Sequence, residues 1–118
     1  MAQEGDGEAE VALPSGASAA LQEILVEERD SGQRLMRMRY VDPAITARAE
    51  DLEQLSADMD YLCQEVALPG FPAGTARPDR LVISIGSEPS VFGVAHPGIT
   101  QVFEAYRIED DRCIWEAF

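Results

Sequence analysis

Two stretches early in the chain alternate between hydrophobic and polar residues with the period of a β-strand. Residues 21–28 set Ile24 and Val26 against acids, and residues 34–41 place Met36, Met38 and Tyr40 on one side. The turn residues of positions 29–32 lie between them, so the two stretches predict a β-hairpin. Acids and arginines share its outer face and are expected to pair across the strands: Glu23, Glu27 and Glu28 with Arg34, Arg37 and Arg39.

A helical pattern follows. Five apolar residues recur at steps of 3, 4, 3 and 4, which predicts one buried stripe on a helix over residues 47–66: Leu52, Leu55, Met59, Leu62 and Val66. The acids between them are expected on the solvated side of this helix: Asp51, Glu53, Asp58, Asp60 and Glu65. Pro69 and Gly70 predict its end.

The remaining apolar runs predict short strands. Residues 11–13 are an edge-strand candidate, 81–85 a buried strand, and 91–94 a possible return strand. Residues 99–108 and 112–118 read as a hairpin about Asp110 and Asp111. The predicted fold class is therefore α+β, a mainly antiparallel sheet of four to six strands with one long helix packed on one face. Residues 11–118 form this single domain, and residues 1–10 are predicted to be a disordered acidic tail.

The chain has two cysteines. Cys63 lies four residues after Met59, beside the apolar stripe of the helix, and Cys113 shares a strand face with Trp115. If that face is the inner one, the two thiols meet where the helix packs on the sheet. We expect a Cys63–Cys113 disulfide, the alternative being two inert buried thiols.

Net charge narrows the classes of partner. The 118 residues carry 22 acids against nine basic residues, all of them arginine, for a net charge of −13. This field repels phosphates and anionic membranes, so it disfavours nucleic-acid binding. A basic protein partner or a cation fits better, although strong acidity also serves simple solubility. Since no apolar run approaches the roughly 18 residues of a membrane span, insertion into a membrane is not expected.

Catalytic and metal-binding patterns are sparse. His96 is the sole histidine, and metal sites and catalytic triads need partners for it. The acidic pairs lack the ligand spacing of a calcium loop. We therefore predict no metal, no cofactor and no enzymatic activity. Two loops rich in proline and glycine, residues 67–79 and 86–98, are the best places for ligand or partner contacts, through Phe71, Phe92 and His96.

Two segments carry a resemblance to a family. The run from Phe103 to Asp110 with the ending Cys-Ile-Trp-Glu-Ala-Phe, and the helix end Asp58 to Cys63, resemble small alphaproteobacterial proteins that share a domain of unknown function. The resemblance covers roughly residues 11–118. It implies that Cys63 and Cys113 belong to a shared framework and that these are exported proteins.

The first residues agree with export. Ala2-Gln3-Glu4 is similar to the mature end that a signal peptidase leaves, with Met1 added, and the alternative is the natural start of a cytoplasmic protein. The expected location is the periplasm or the exterior.

The leading functional hypothesis is a non-catalytic acidic interaction module, an accessory subunit or inhibitor-like protein. The alternative is a small-molecule or cation-binding protein with a cleft under loops 67–79 and 86–98.

Overall fold

The computed structural model describes residues 10–71 and 74–116. Six strands form one sheet: β1 (Glu10–Ala12), β2 (Ser18–Glu28), β3 (Arg34–Val41), β4 (Arg80–Gly86), β5 (Gln101–Glu109) and β6 (Arg112–Glu116). A short 3₁₀-helix (Ile45–Arg48) follows β3. Helix α1 (Leu52–Tyr61) comes next and runs on directly into a π-helical segment (Leu62–Ala67).

The strands lie in the order in which they occur in the chain, and the sheet curls into a half-barrel. Each neighbouring pair is antiparallel except β3 and β4, which run parallel. Parallel neighbours need a long crossover connection, and residues 42–79, which include the helix, form it. The predicted α+β class, with a mainly antiparallel sheet and one helix on one face, is confirmed.

The main core lies between the helix and the sheet. Met38 and Tyr40 on β3 alternate inward as predicted, and the helix contributes Leu55, Met59 and Leu62 from its predicted stripe. The central strands complete it with Leu81, Ile83, Ile85 and Tyr106, all fully buried. Burial of each such side chain contributes about 1.5–3 kcal/mol, so this contact dominates the stability of the domain.

The helix begins later than predicted. We expected it from residue 47, but Arg48 closes a separate 3₁₀ turn, and α1 starts only after Asp51, whose side chain accepts a hydrogen bond from the Gln54 backbone N–H at 3.1 Å. Leu52, predicted to be buried, is 74 % exposed. The reason is its place in the first turn, where a cleft separates it from the sheet.

Asp58 also departs from the prediction, because it is fully buried instead of solvated. Its carboxylate accepts hydrogen bonds from the Ser15 backbone N–H at 3.0 Å and the Ser15 hydroxyl at 2.6 Å. Arg48 Nη1 donates to it at 2.8 Å, and Arg48 Nη2 binds the buried Asp42 at 3.0 Å. Such saturation with partners is what allows a carboxylate to leave water.

Several smaller predictions have clear outcomes. Residues 11 and 12 do lie in an edge strand, but β1 begins at Glu10, which we had assigned to the tail, and it ends before Leu13. Residues 1–9 lie outside the described part. Residues 91–94 make a turn with Gly93 at φ +84° and not a return strand.

Asp110 and Asp111, at φ +53° and +61°, form the predicted tight turn between β5 and β6. The last strand is described to Glu116, and its predicted continuation through residues 117–118 lies outside the described residues.

The predicted disulfide between Cys63 and Cys113 is present, with the Cα atoms 6.3 Å apart. It joins the π-helical segment to β6. Next to it, the Gln64 side chain accepts a hydrogen bond from the Cys113 backbone N–H at 2.8 Å and donates one to the Asp111 carbonyl at 3.1 Å. One covalent and two polar links thus fasten the C-terminal hairpin to the helix.

Replacing Arg48 tests the buried ion cluster. In Arg48→Met the two buried carboxylates lose their cation, so the free energy of unfolding is expected to fall by about 3–5 kcal/mol. Urea denaturation measures it. The matched control is Arg29→Met, an exposed turn arginine, which should change stability by no more than about 0.5 kcal/mol. Equal effects of the two substitutions would show that the cluster is not specifically stabilising.

Removing the crosslink tests the disulfide. The double variant Cys63→Ala, Cys113→Ala opens a span of 50 residues, and chain entropy predicts a loss of about 4 kcal/mol in unfolding free energy. In a complementary assay, protein from the native host is unfolded and alkylated with and without reductant. Its mass should rise by two alkyl groups only when reductant is present, and labelling without reductant would contradict the bridge.

Candidate functional site

The three residues predicted for ligand or partner contacts do not form one site. Phe71 lies on the helix side, packed beside the core, with the Arg77 guanidinium 5.7 Å from its ring centroid. Phe92 lies on the opposite, outer face of the sheet. His96 is exposed in the same loop as Phe92 and does not line the cleft beside that ring. The described residues of loop 67–79 border a shallow apolar groove of about 170 Å³, and a larger cleft lies under loop 86–98.

The cleft under loop 86–98, called the outer cleft below, has a volume of about 390 Å³. Its floor is the outer face of β3 and β4, with Arg37, Val82 and Ser84. Its walls are four large apolar side chains that range in exposure from 45 % for Phe92 to 65 % for Val91, the other two being Val94 and Phe103. The result is a concave, mainly apolar surface around a guanidinium group.

Arg39 positions the loop above this floor. It pairs with Glu23 across the hairpin and donates to the Ser90 carbonyl at 3.0 Å and the Ser90 hydroxyl at 2.9 Å. Gln22, at a bulge in β2, donates to the same carbonyl at 2.8 Å. Since Arg39 is only 4 % exposed, it acts as a buried anchor for the loop that carries Phe92.

Arg37, the second arginine at the outer cleft, is also paired with a glutamate of the hairpin. Arg37 Nε donates to Glu27 at 3.0 Å, and its guanidinium carbon lies 4.8 Å from the Phe92 ring centroid. Two predicted cross-strand pairs, Glu23–Arg39 and Glu27–Arg37, are thus present. The third is not: Arg34 is opposite Glu28 in register, but its guanidinium binds the carbonyls of residues 76 and 77.

A second cleft, which sequence reasoning missed, opens on the helix side of the sheet. This helix-side cleft has a volume of about 470 Å³ between the first turns of α1 and strands β5 and β6. Leu52 borders it from the helix, and Glu104 and Trp115 border it from the strands. The Trp115 indole N–H donates to the Glu104 carboxylate. Gln101 and Phe103 line both clefts, so the two are neighbours.

One signal for the helix-side cleft was present in the sequence. Val102, Tyr106 and Ile108 mark the inner face of β5, and Glu104 interrupts this apolar set. A carboxylate on the core-facing side of a strand indicates that the face opens to solvent at that point. The exposed Leu52 could not be found in this way, because a helical stripe carries no sign of where its helix stops covering the sheet.

Tyr106 lies on the inner face of β5, opposite Trp115 in register. Its pKa is raised by burial first and then by the neighbouring Asp60 and Glu104 carboxylates. The buried hydroxyl has no hydrogen-bond partner of normal geometry within the described residues. Burial likewise raises the pKa of Tyr40 in the core to about 12. Both tyrosines therefore stay protonated in the folded protein at pH values where free tyrosine ionises.

Over residues 10–71 and 74–116, no cluster of three or more potential metal-ligating side chains is found. In the same part of the chain, no helix has both the length and the apolar character needed to span a bilayer.

Comparison with known proteins assigns a family without a function. The family profile described as "Family of unknown function (DUF6497)" matches residues 1–118. No curated protein and no solved structure matches the chain.

The two buried tyrosines predict a loss of stability in alkali. In the unfolded chain a tyrosine ionises near pH 10, whereas folded Tyr40 keeps its proton to about pH 12, so rising pH favours the unfolded state across that window. Tyr40 alone should lower the unfolding free energy by about 1.4 kcal/mol per pH unit there. Urea titrations at pH 8, 10 and 11 measure how the unfolding free energy depends on pH. The same pH dependence in Tyr40→Phe as in the wild type would contradict the assignment to Tyr40.

Proposed function

Because the chain belongs to DUF6497, a family whose function is not known, we propose a role from its geometry: a non-catalytic interaction module that binds a partner protein across its two neighbouring clefts. The single observation that supports this proposal is where the exposed apolar side chains lie. Among the described residues, eight large hydrophobic side chains are exposed, and six of them border the two clefts: Leu52, Val91, Phe92, Val94, Phe103 and Trp115.

A concentration of apolar side chains in water is energetically unfavourable unless another surface covers it. Scattered exposed hydrophobic residues are normal on a protein surface, but a contiguous patch marks an interaction site. Phe103 borders both clefts and so makes their apolar walls continuous. Aromatic side chains in concave surfaces are the usual anchor points of protein interfaces, and this surface has three of them in Phe92, Phe103 and Trp115.

The charge of the chain favours a basic partner. With a net charge of −13, the domain attracts cationic proteins over several ångströms and accelerates their association. The outer hairpin does not oppose this attraction, since Arg37 and Arg39 are paired with Glu27 and Glu23. An accessory subunit or an inhibitor-like protein would combine such long-range attraction with an apolar contact surface.

The proposed location is the periplasm or the cell exterior. Disulfides persist in oxidising compartments, and the Cys63–Cys113 bridge supports export on that ground. The resemblance of the C-terminal segments to exported alphaproteobacterial proteins points the same way. Reducing cytosol would instead keep the two thiols free.

A second candidate function rests on the outer cleft alone. Its volume of about 390 Å³ lies within the range of roughly 300–1,000 Å³ typical of small-molecule sites. The Arg37 guanidinium and the Ser84 hydroxyl provide a few polar groups in an apolar cavity, as such sites require. A small ligand would occupy the outer cleft only, whereas a protein partner would cover both.

Site-specific photocrosslinking tests the proposal. A photoreactive phenylalanine analogue replaces Val94, which is exposed at the outer cleft, or the exposed helix residue Glu65, which lines neither cleft. Each protein is expressed in the source cells and irradiated, and adducts are identified by mass spectrometry. We expect position 94, but not position 65, to give one dominant protein adduct whose yield falls as salt increases.

The alternatives have distinct outcomes. An adduct between two copies of the chain would replace the partner by self-association. A small-molecule adduct, or none at either position, would favour the ligand-binding candidate. Equal adducts from positions 94 and 65 would show non-specific attraction and contradict the proposal.

A further inference from the structure

The helix-side cleft contains an acidic group, Glu104, that forms no ion pair within the described part of the chain. Among the side chains that line this cleft, Glu104 is the charged one, and the rest are apolar or neutral. All nine arginines of the chain lie in the described part, and none of them forms an ion pair with Glu104 within it. This contrasts with the outer cleft, whose two neighbouring glutamates are both paired with arginine.

We propose that the helix-side cleft binds a basic side chain, arginine or lysine, of the partner protein. Glu104 would pair with the cationic head, and the Trp115 ring would stack against it. This proposal rests on the interaction module proposed above and names the residue type that the partner contributes. The charge of the cleft and its aromatic wall both select a cation.

An exposed aromatic ring beside a carboxylate is an arrangement that binds a cation through a cation–π contact and an ion pair. Trp115 is 54 % exposed, and tryptophan is the ring that attracts cations most strongly. Its indole N–H donates to one Glu104 oxygen, Oε2, so the ring is held in a fixed orientation next to the carboxylate. The other oxygen, Oε1, accepts no hydrogen bond from the described residues and is available to a guanidinium or ammonium donor.

The apolar walls fit the rest of a basic side chain. Arginine and lysine carry three or four methylene groups that pack on apolar surface while the head binds an acid. Leu52 and Phe103, both well exposed at the rim, would cover that aliphatic portion. The two clefts then have different roles: the outer one takes apolar side chains, and the helix-side one fixes the position of a single cation.

Trp115 is the only tryptophan in the chain, so its fluorescence reports on this cleft directly. The probes are two short peptides, acetyl-Leu-Arg-Leu-amide and the same peptide with glutamine in place of arginine. With the wild-type protein, we expect a saturable change in Trp115 emission and about tenfold weaker binding of the glutamine peptide. Raising the salt concentration should weaken the binding of the arginine peptide and leave the binding of the glutamine peptide nearly unchanged.

Two variants with the same net charge separate a local site from the general acidic field. Glu104→Gln keeps an acceptor for the indole N–H but removes the negative charge of the carboxylate. We expect it to lower the affinity for the arginine peptide about tenfold. Glu65→Gln removes one charge from the helix outside both clefts and should change affinity less than twofold. Circular dichroism and the intact disulfide confirm that each variant is folded.

The outcomes separate this inference from the proposal on which it rests. Equal binding of the two peptides, or equal weakening by the two variants, overturns the cation site even if position 94 crosslinks to a partner. An arginine-selective response of Trp115 that Glu104→Gln removes supports the cation site. If that response occurs without any protein adduct at position 94, the site holds and the interaction module is overturned.

Discussion

Arg48 links three parts of the chain, two of them directly and the third through Asp58. It pairs with Asp42 at the end of β3 and with Asp58 in the middle of α1, and Asp58 in turn holds Ser15 in the turn before β2. Both carboxylates are buried, so the cost of removing them from water is offset only while the cluster is complete. The cluster thereby links the middle of α1 to the end of β3 and to the turn before β2, and Leu52 in the first turn of the same helix borders the helix-side cleft.

The two faces of the sheet are stabilised by different means. The helix side has a continuous apolar core and a disulfide that links the end of the helix to β6. The outer side has a small cluster of Leu35, Val82 and Ala105, and beyond it the arginine anchor that holds loop 86–98. Because that anchor is polar and largely buried, the loop is fixed in place and its apolar side chains, including Phe92, remain at the surface.

Phe103 links the two clefts, and this continuity is the reason that we propose a protein partner and not a small ligand. One partner segment that crosses Phe103 could contact Phe92 on one side and Trp115 on the other. The carboxylate of Glu104, which forms no ion pair within the described residues, would then add selectivity to an otherwise apolar contact. The acidic field of the chain would speed the encounter, while the two clefts would determine which cationic protein is retained.

The sequence by itself determined the parts of this protein that depend on local periodicity. Alternation in residues 21–28 and 34–41 predicted the hairpin, and the spacing of Leu55, Met59 and Leu62 predicted the helix. Together with the short apolar runs after residue 80, these elements predicted the fold class. The faces of Cys63 and Cys113, together with the even number of cysteines, led to the prediction of their disulfide, with two buried thiols as the alternative. These features follow from the 2.0 and 3.6 residue periods, which any stretch of chain expresses without its neighbours.

Only the tertiary structure decided which polar residues are buried and which apolar residues are exposed. Asp58 lies beside the buried stripe in sequence, but its burial depends on Arg48 and Ser15, which arrive from other elements. Leu52 belongs to the stripe, but it is exposed because the sheet does not reach the first turn of the helix. The separation of Phe71 from Phe92 likewise follows from the crossover between β3 and β4, since a connection's path over one face of a sheet is a property of the whole chain.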